Sequence, residues 1–134
     1  MLPLTADELR VFLHIVAAAV WVGGQITLAG LVPTLRSIDP AAPRQAARRF
    51  NRIAWSAFAV LVVTGVWNLF EVQVADATTE YQVTVLVKLL VVAVSGVAAA
   101  LHARATSRAG LAVGGVVSLL AALAAVLLGV MLRG

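Results

Sequence analysis

No cysteine occurs in this 134-residue chain. Its absence excludes disulfides, thiolate metal centres and the c-type attachment of haem, all of which require the sulfur. Methionine and histidine are nearly as scarce, at two each, so a soft metal ion would find few donors. Charge is sparse as well. Only 12% of residues are Asp, Glu, Lys or Arg, whereas ordinary soluble domains carry roughly 25%. A soluble globular chain is thereby excluded. There is no hydrolase constellation, no phosphate-cradling glycine loop and no nucleic-acid module, so the net charge of +4 needs another explanation. The opening "MLPLTADELR" places Asp7 and Glu8 where a cleavable signal would carry bases, and the first apolar run is expected to be retained.

What the chain does have is hydrophobic sequence, 62% of it. A membrane span takes about 20 mostly apolar residues. Four such runs are present, roughly residues 10–32, 53–72, 82–103 and 110–132. They predict an all-α integral membrane protein, a four-helix up-down bundle forming a single transmembrane domain over residues 1–134.

The connecting segments orient it. The first, "PTLRSIDPAAPRQAARRFNR", holds Arg36, Arg44, Arg48, Arg49 and Arg52 against Asp39 alone. The second holds Glu71, Asp76 and Glu80 and no base, and the third holds Arg104 and Arg108. Basic loops stay in the cytoplasm, so loops one and three face inward and both termini face outward, with Arg133 a mild dissent. Arg44, Arg48 and Arg52 recur every four residues, so a helix starting near Pro43 aligns them on one face. Such a stripe enforces topology and can also hold anionic headgroups.

Small residues mark where helices approach closely in lipid. Span one has Ala17, Ala18, Ala19, Gly23 and Gly24; span three has Ser95, Gly96, Ala98, Ala99 and Ala100. Span four opens with Gly110 and Gly114 at GxxxG spacing, which suggests self-association into a homo-oligomer. Trp67 and Tyr81 near the outer surface and Trp55 near the inner one read as an aromatic belt. Trp21 lies mid-span, where a belt cannot account for it.

The first span, "VFLHIVAAAVWVGGQITLAGLV", carries a histidine and a glutamine that lipid disfavours. Helical rise puts His14 about 6 Å below the outer surface and Lys88 about 9 Å below it. Asn68 enters the same outer layer from span two, with Thr64 and Glu71 on its face, and Met131 reaches the outer end of span four. His14, Trp21 and Gln25 share one stripe of span one; Lys88, Ser95 and His102 repeat every seven residues along span three. Polar stripes of this kind line a helix seam or a permeation path, because a charge facing lipid costs several kcal/mol, about 3 or more. Each of these residues also has an ordinary use: interhelical hydrogen bonding for His14 and Gln25, snorkelling for Lys88, and an interfacial position for His102.

The segments "LHIVAAAVWVGG", "RRFNRIAWSAFAVLVVTGVWN" and "VLVKLLVVAVSG" resemble the CopD family of bacterial copper-resistance membrane proteins. The resemblance runs through spans one to three, roughly residues 9–100, and His14, Trp21, Gly23, Gly24, Gly65 and Lys88 match its pattern. It implies a transport or binding protein rather than an enzyme, in the bacterial cytoplasmic membrane, that moves copper and meets a periplasmic or extracellular copper-binding partner. Copper would be ligated by His14 and Met131 at an outer-leaflet site, with Met1 and Glu71 as further candidates and Lys88 tuning the field. Gln25 and His102 would continue a path inward. The histidine in span one and lysine in span three are also similar to the HemJ-type protoporphyrinogen oxidases. That likeness implies haem as cofactor, held by His14 with Lys88 at a propionate, in a porphyrin-oxidising enzyme. A third expectation is a non-catalytic accessory subunit whose polar residues only join helices. The orientation is directly testable. A cysteine replacing Asp76 should react with an impermeant thiol reagent added outside intact cells, and a cysteine replacing Asp39 should not; the opposite pattern would invert every depth given above.

Overall fold

Three of the four long helices start at a hydroxyl that caps them. In the computed structural model, which describes residues 2–134, α1 (Ala6–Ile38) begins at a capping box. The Glu8 amide donates to Thr5 Oγ1 at 3.2 Å, and the Thr5 amide donates to Glu8 Oε2 at 2.8 Å, so two orphan donors are satisfied reciprocally. Helix α3 (Thr79–Arg104) is capped by Thr78 and α4 (Arg108–Met131) by Ser107. Helix α2 (Ala42–Glu71) has no side-chain cap; it starts after the Asp39–Ala41 turn with Pro43 in its first turn, where a missing N–H costs nothing. The described residues contain no strand. All four helices are long and apolar enough to cross a membrane.

The first basic segment is mostly helix rather than loop. Span one was expected to stop before Pro33, yet α1 runs through it to Ile38, and α2 already begins at Ala42. Apolarity marks only the part of a helix that lies in hydrocarbon. Backbone hydrogen bonding continues beyond it, and a proline near a membrane helix end is tolerated. The turn between them is closed by Asp39, whose Oδ1 accepts the Ala41 amide at 2.7 Å. After α2, Gln73 enters the left-handed region at φ 49° and leads into a short 3-10 turn, Val74–Asp76. The Gln82 side-chain amide donates to the carbonyls of Val74 and Ala75, each at 3.0 Å, and fastens that turn to α3.

The chain divides into two units, one ending at Val72 and one running from Gln73 to Gly134. Each is an antiparallel helical hairpin, α1 with α2 and α3 with α4. Their buried seams consist largely of small residues: Ala17 and Ala54 in the first, Gly96, Ala98, Ala122 and Ala125 in the second. The most deeply buried side chains are serines, Ser95 and Ser118. They bond reciprocally, Ser95 Oγ donating to the Ser118 carbonyl at 2.9 Å and Ser118 Oγ to the Ser95 carbonyl at 3.0 Å. Leucine, valine and isoleucine point outward instead, as at Val63, Leu90 and Leu120. Lipid is no worse a neighbour for them than another helix, so packing selects small residues for the seam.

Gly114, half of the GxxxG spacing in α4, is engaged inside its own hairpin. A Cβ there would stand 2.9 Å from His102 Cβ and 3.1 Å from its Cα. Gly110 faces the capping turn at Ser107 and Ala105. The motif predicted to drive self-association thus serves the α3 contact; spacing alone reports that a helix comes close, not which helix. Gly114→Ala should therefore lower stability by about 1–3 kcal/mol, the usual cost of forcing a methyl group into a closed contact. Thermal unfolding in detergent checks this, with Gly23→Ala as control because nothing lies within 4 Å of its Cβ position. An oligomeric state that changes while the midpoint stays constant would return Gly114 to an intermolecular role.

Candidate functional site

Two polar rungs cross the α1–α2 hairpin one turn apart. In the first, His14 Nδ1 lies 2.7 Å from Thr64 Oγ1. Thr64 is itself buried, and its hydroxyl donates to the Val60 carbonyl at 2.7 Å. The hydroxyl thus links the imidazole on α1 to the backbone of α2, and Nδ1 is committed to this rung. The pairing is specific in position, because Thr64 hangs from its own helix turn and fixes the ring plane as a second-shell partner would. Gly65 is the next residue along, and a Cβ there would sit 3.8 Å from His14 Cε1, an ordinary contact.

The second rung is Arg10 with Asn68. Arg10 is only 7% exposed. One terminal nitrogen donates to Asn68 Oδ1 and the other to Asp7 Oδ1 at 3.0 Å, while Nε is buried without a partner among the described residues. Arg10 is absent from the sequence-based list of candidates. It stands at the first residue of the apolar run and reads as a flank. The signal that finds it is spacing: Arg10, His14, Ala17 and Trp21 recur at intervals of four, three and four, one stripe of a helix. Asn68 and Thr64 answer it from α2, also four apart. The expectation that Asn68 and Thr64 share a face is met. Glu71, expected with them, is exposed, and its Oε1 accepts from Trp67 Nε1 at 3.1 Å.

Deeper in the hairpin the stripe turns apolar. Trp21 is 4% exposed, its ring tilted against Phe58 at 4.6 Å and edge-on at 5.5 Å from Trp55. Trp55 and Phe58 meet edge-to-face as well. Trp55, expected in the belt, therefore also closes an aromatic cluster, and Trp21 is a packing residue. Gly24 lies against the Phe50 ring just beyond. Gln25 bonds its own helix, its Nε2 donating to the Trp21 carbonyl at 3.0 Å. Its amide reaches back one turn rather than across to α2.

In the α3–α4 hairpin the heptad stripe does face α4. Lys88 Nζ lies 3.1 Å from the place a Cβ would take at Gly129, Ser95 meets Ser118, and His102 packs on Gly114 and Gly115. A methyl group at 129 would press on the lysine head, which would have to shift by a few tenths of an ångström. Ser95 joins the two helices. His102 Nδ1 donates to the Leu111 carbonyl at 2.6 Å, closing the α3–α4 end, so two of the three stripe residues have structural duties. Met131 is 61% exposed. Met1 lies outside the described residues. Among those described, no group of three or more His, Asp or Glu side chains is placed to hold a metal ion. The first hairpin offers a single imidazole together with a hydroxyl, an amide and a guanidinium. That set suits a passing contact with a soft ion and does not amount to a resident copper centre.

Searches of the curated proteins and of the solved structures return no match. A family comparison does. Residues 44–133 match CopD, described as copper resistance protein D. The match takes in α2, α3 and α4, with the "TGVWN" and "VKLL" segments, and begins after α1, so His14 and "WVGG" lie outside it. The resemblance was expected to run through spans one to three with span four generic; the fourth span in fact belongs to the matched region. Spanning two thirds of a chain with four membrane-length helices, this match makes the protein a member of the CopD family.

Proposed function

We propose that this protein handles copper in the membrane as cargo, with the His14 imidazole as its contact in the α1–α2 hairpin. The observation that carries the reading is the His14–Thr64 pair, which holds one imidazole in a fixed plane beside a buried polar rung in a member of a copper-resistance family. A lone imidazole binds weakly enough to release. By the distribution of basic residues, the site belongs to the outer leaflet of a bacterial cytoplasmic membrane, with the termini outside and loops one and three in the cytoplasm. Copper would arrive from a periplasmic or extracellular binding protein. Glu71, on α2 of the same hairpin, remains a candidate for joining this site.

A second reading has one observation in its favour. Arg10, a buried cation one helical turn from His14, suits a carboxylate of a porphyrin as well as Lys88 would. An imidazole for the iron and a guanidinium for a propionate would hold haem in a porphyrin-oxidising enzyme.

Copper accumulation by cells expressing the protein, together with elemental analysis of the purified protein, separates these readings. His14→Ala should abolish copper movement while the protein still folds in detergent, with stability lowered by no more than the about 1 kcal/mol of one lost hydrogen bond. Thr64→Val, which removes the orienting hydroxyl, should weaken apparent copper affinity about 10- to 100-fold, as loss of such partners does. Wild-type copper movement in His14→Ala would overturn the assignment. Near-stoichiometric iron with a Soret band, lost in His14→Ala, would establish the haem reading instead. Neither metal, with His14→Ala affecting only assembly, would make the protein an accessory subunit.

A further inference from the structure

Helix α2 breaks the rules for a helix start, and nothing in its hairpin compensates. It has no side-chain cap and no acid in its first turn. Arg44 stands in that turn, where the positive end of the helix dipole disfavours it. Arg44, Arg48 and Arg52 then place like charges at i, i+4, a destabilising arrangement on a helix surface. Arg36, Arg44, Arg48, Arg49 and Arg52 are all exposed. The ion pair of this hairpin is Arg10–Asp7, far along the sequence from them, and the nearby Asp39 is occupied in the turn.

Depth explains where the missing anions would come from. The apolar part of α1 ends at Val32 and that of α2 begins at Ile53. At the helical rise, Arg52 then lies about 1.5 Å beyond the hydrocarbon edge, Arg36 and Arg49 about 6 Å, and Arg48 about 7.5 Å. The headgroup layer is roughly 5–8 Å thick on each side. Arg44 is about 13 Å out, beyond that layer.

We propose that this end of the hairpin is a binding surface for anionic phospholipid, with Arg48, Arg49 and Arg52 on α2, joined by Arg36 on α1, engaging headgroup phosphates. Guanidinium forks match phosphate oxygens in a bidentate geometry. The bound phosphates offset the mutual repulsion of Arg48, Arg49 and Arg52, which no acid of the hairpin faces, while the first turn of α2 stands farther out in water. Arg44, out of reach of the phosphates, contributes only to the long-range attraction.

The test uses the full chain in a neutral maltoside detergent, titrated with phosphatidylglycerol or phosphatidylcholine. Thermal midpoint and lipid retained in native mass spectrometry are read together. Phosphatidylglycerol should raise the midpoint and stay bound, whereas phosphatidylcholine should do neither. The triple variant R48Q/R49Q/R52Q should bind phosphatidylglycerol on the order of a hundredfold more weakly, at about 1 kcal/mol for each base near the surface. R44Q should remain close to wild type. The triple variant R48K/R49K/R52K keeps the charge and should retain most of the binding, which preserves the test if the glutamine variant fails to fold. Equal response to the two lipids would overturn the proposal. So would wild-type affinity in the glutamine triple variant, or a loss in the lysine variant as large as in it.

Discussion

Lipid offers no hydrogen bond, and the rest of this structure depends on that. Every polar group carried into the hydrocarbon must find its partner on its own helix or on the one beside it. The helices solve this for their backbones. The side chains solve it in pairs: His14 with Thr64, Arg10 with Asn68 and Asp7, and Ser95 with Ser118. These pairs set register as well as satisfying valence. Sliding α1 against α2 by one residue would separate both rungs of the first hairpin at once and leave the buried guanidinium with Asp7 of its own helix alone. In the second hairpin the reciprocal serine bonds act in the same way, and the alanines and glycines around them let the backbones come near enough for such short side chains to meet.

Because lipid gives no hydrophobic force between helices, bulky apolar residues are not drawn to the seams. This inverts the pattern of a soluble protein. Leu90, Leu120 and Val63 are exposed, while alanine and serine form the core. Val85 is an exception, and Trp21, whose ring packs with Phe58 and Trp55, is the largest one. The first hairpin thus changes character along its length: charged and polar at the Arg10 end, aromatic in the middle, and basic at the turn.

How much of this is legible in the sequence follows from what each signal measures. Apolar runs located all four helices, because crossing hydrocarbon demands continuous hydropathy. They could not locate helix ends: Pro33–Ile38 read as loop although it is helical, and only the four-residue spacing of Arg44, Arg48 and Arg52 pointed to a helix starting near Pro43. The seven-residue spacing of Lys88, Ser95 and His102 revealed the face turned to α4, since periodicity reports direction well. It could not name the partner, which is why Gly114 pointed to a second copy and instead meets His102. Arg10 went unread because a base at the edge of a span is normally topological, and burial is a tertiary property. His14 was visible as a polar residue in the wrong solvent. Its Thr64 partner emerged only with the register of the hairpin.

A single well-oriented imidazole is a sparse equipment for copper, and the sparseness bears on the kind of function. A site that stores a metal gathers three or four donors and holds it tightly. A site on a conduction path must bind favourably enough to admit the ion and weakly enough to let it go. One imidazole in a fixed plane meets the second demand, and Thr64 spares it the entropy of finding its orientation on each encounter. Arg10, a turn away, adds a cation whose charge Asp7 and Asn68 offset only in part, which shortens the stay of any positively charged ion at His14 and would lengthen that of an anion. On the proposed copper reading this pairing of groups would speed release of the ion, and on the haem reading it would help retain a porphyrin carboxylate. The identity of what remains bound after purification is thus a statement about Arg10 as much as about His14.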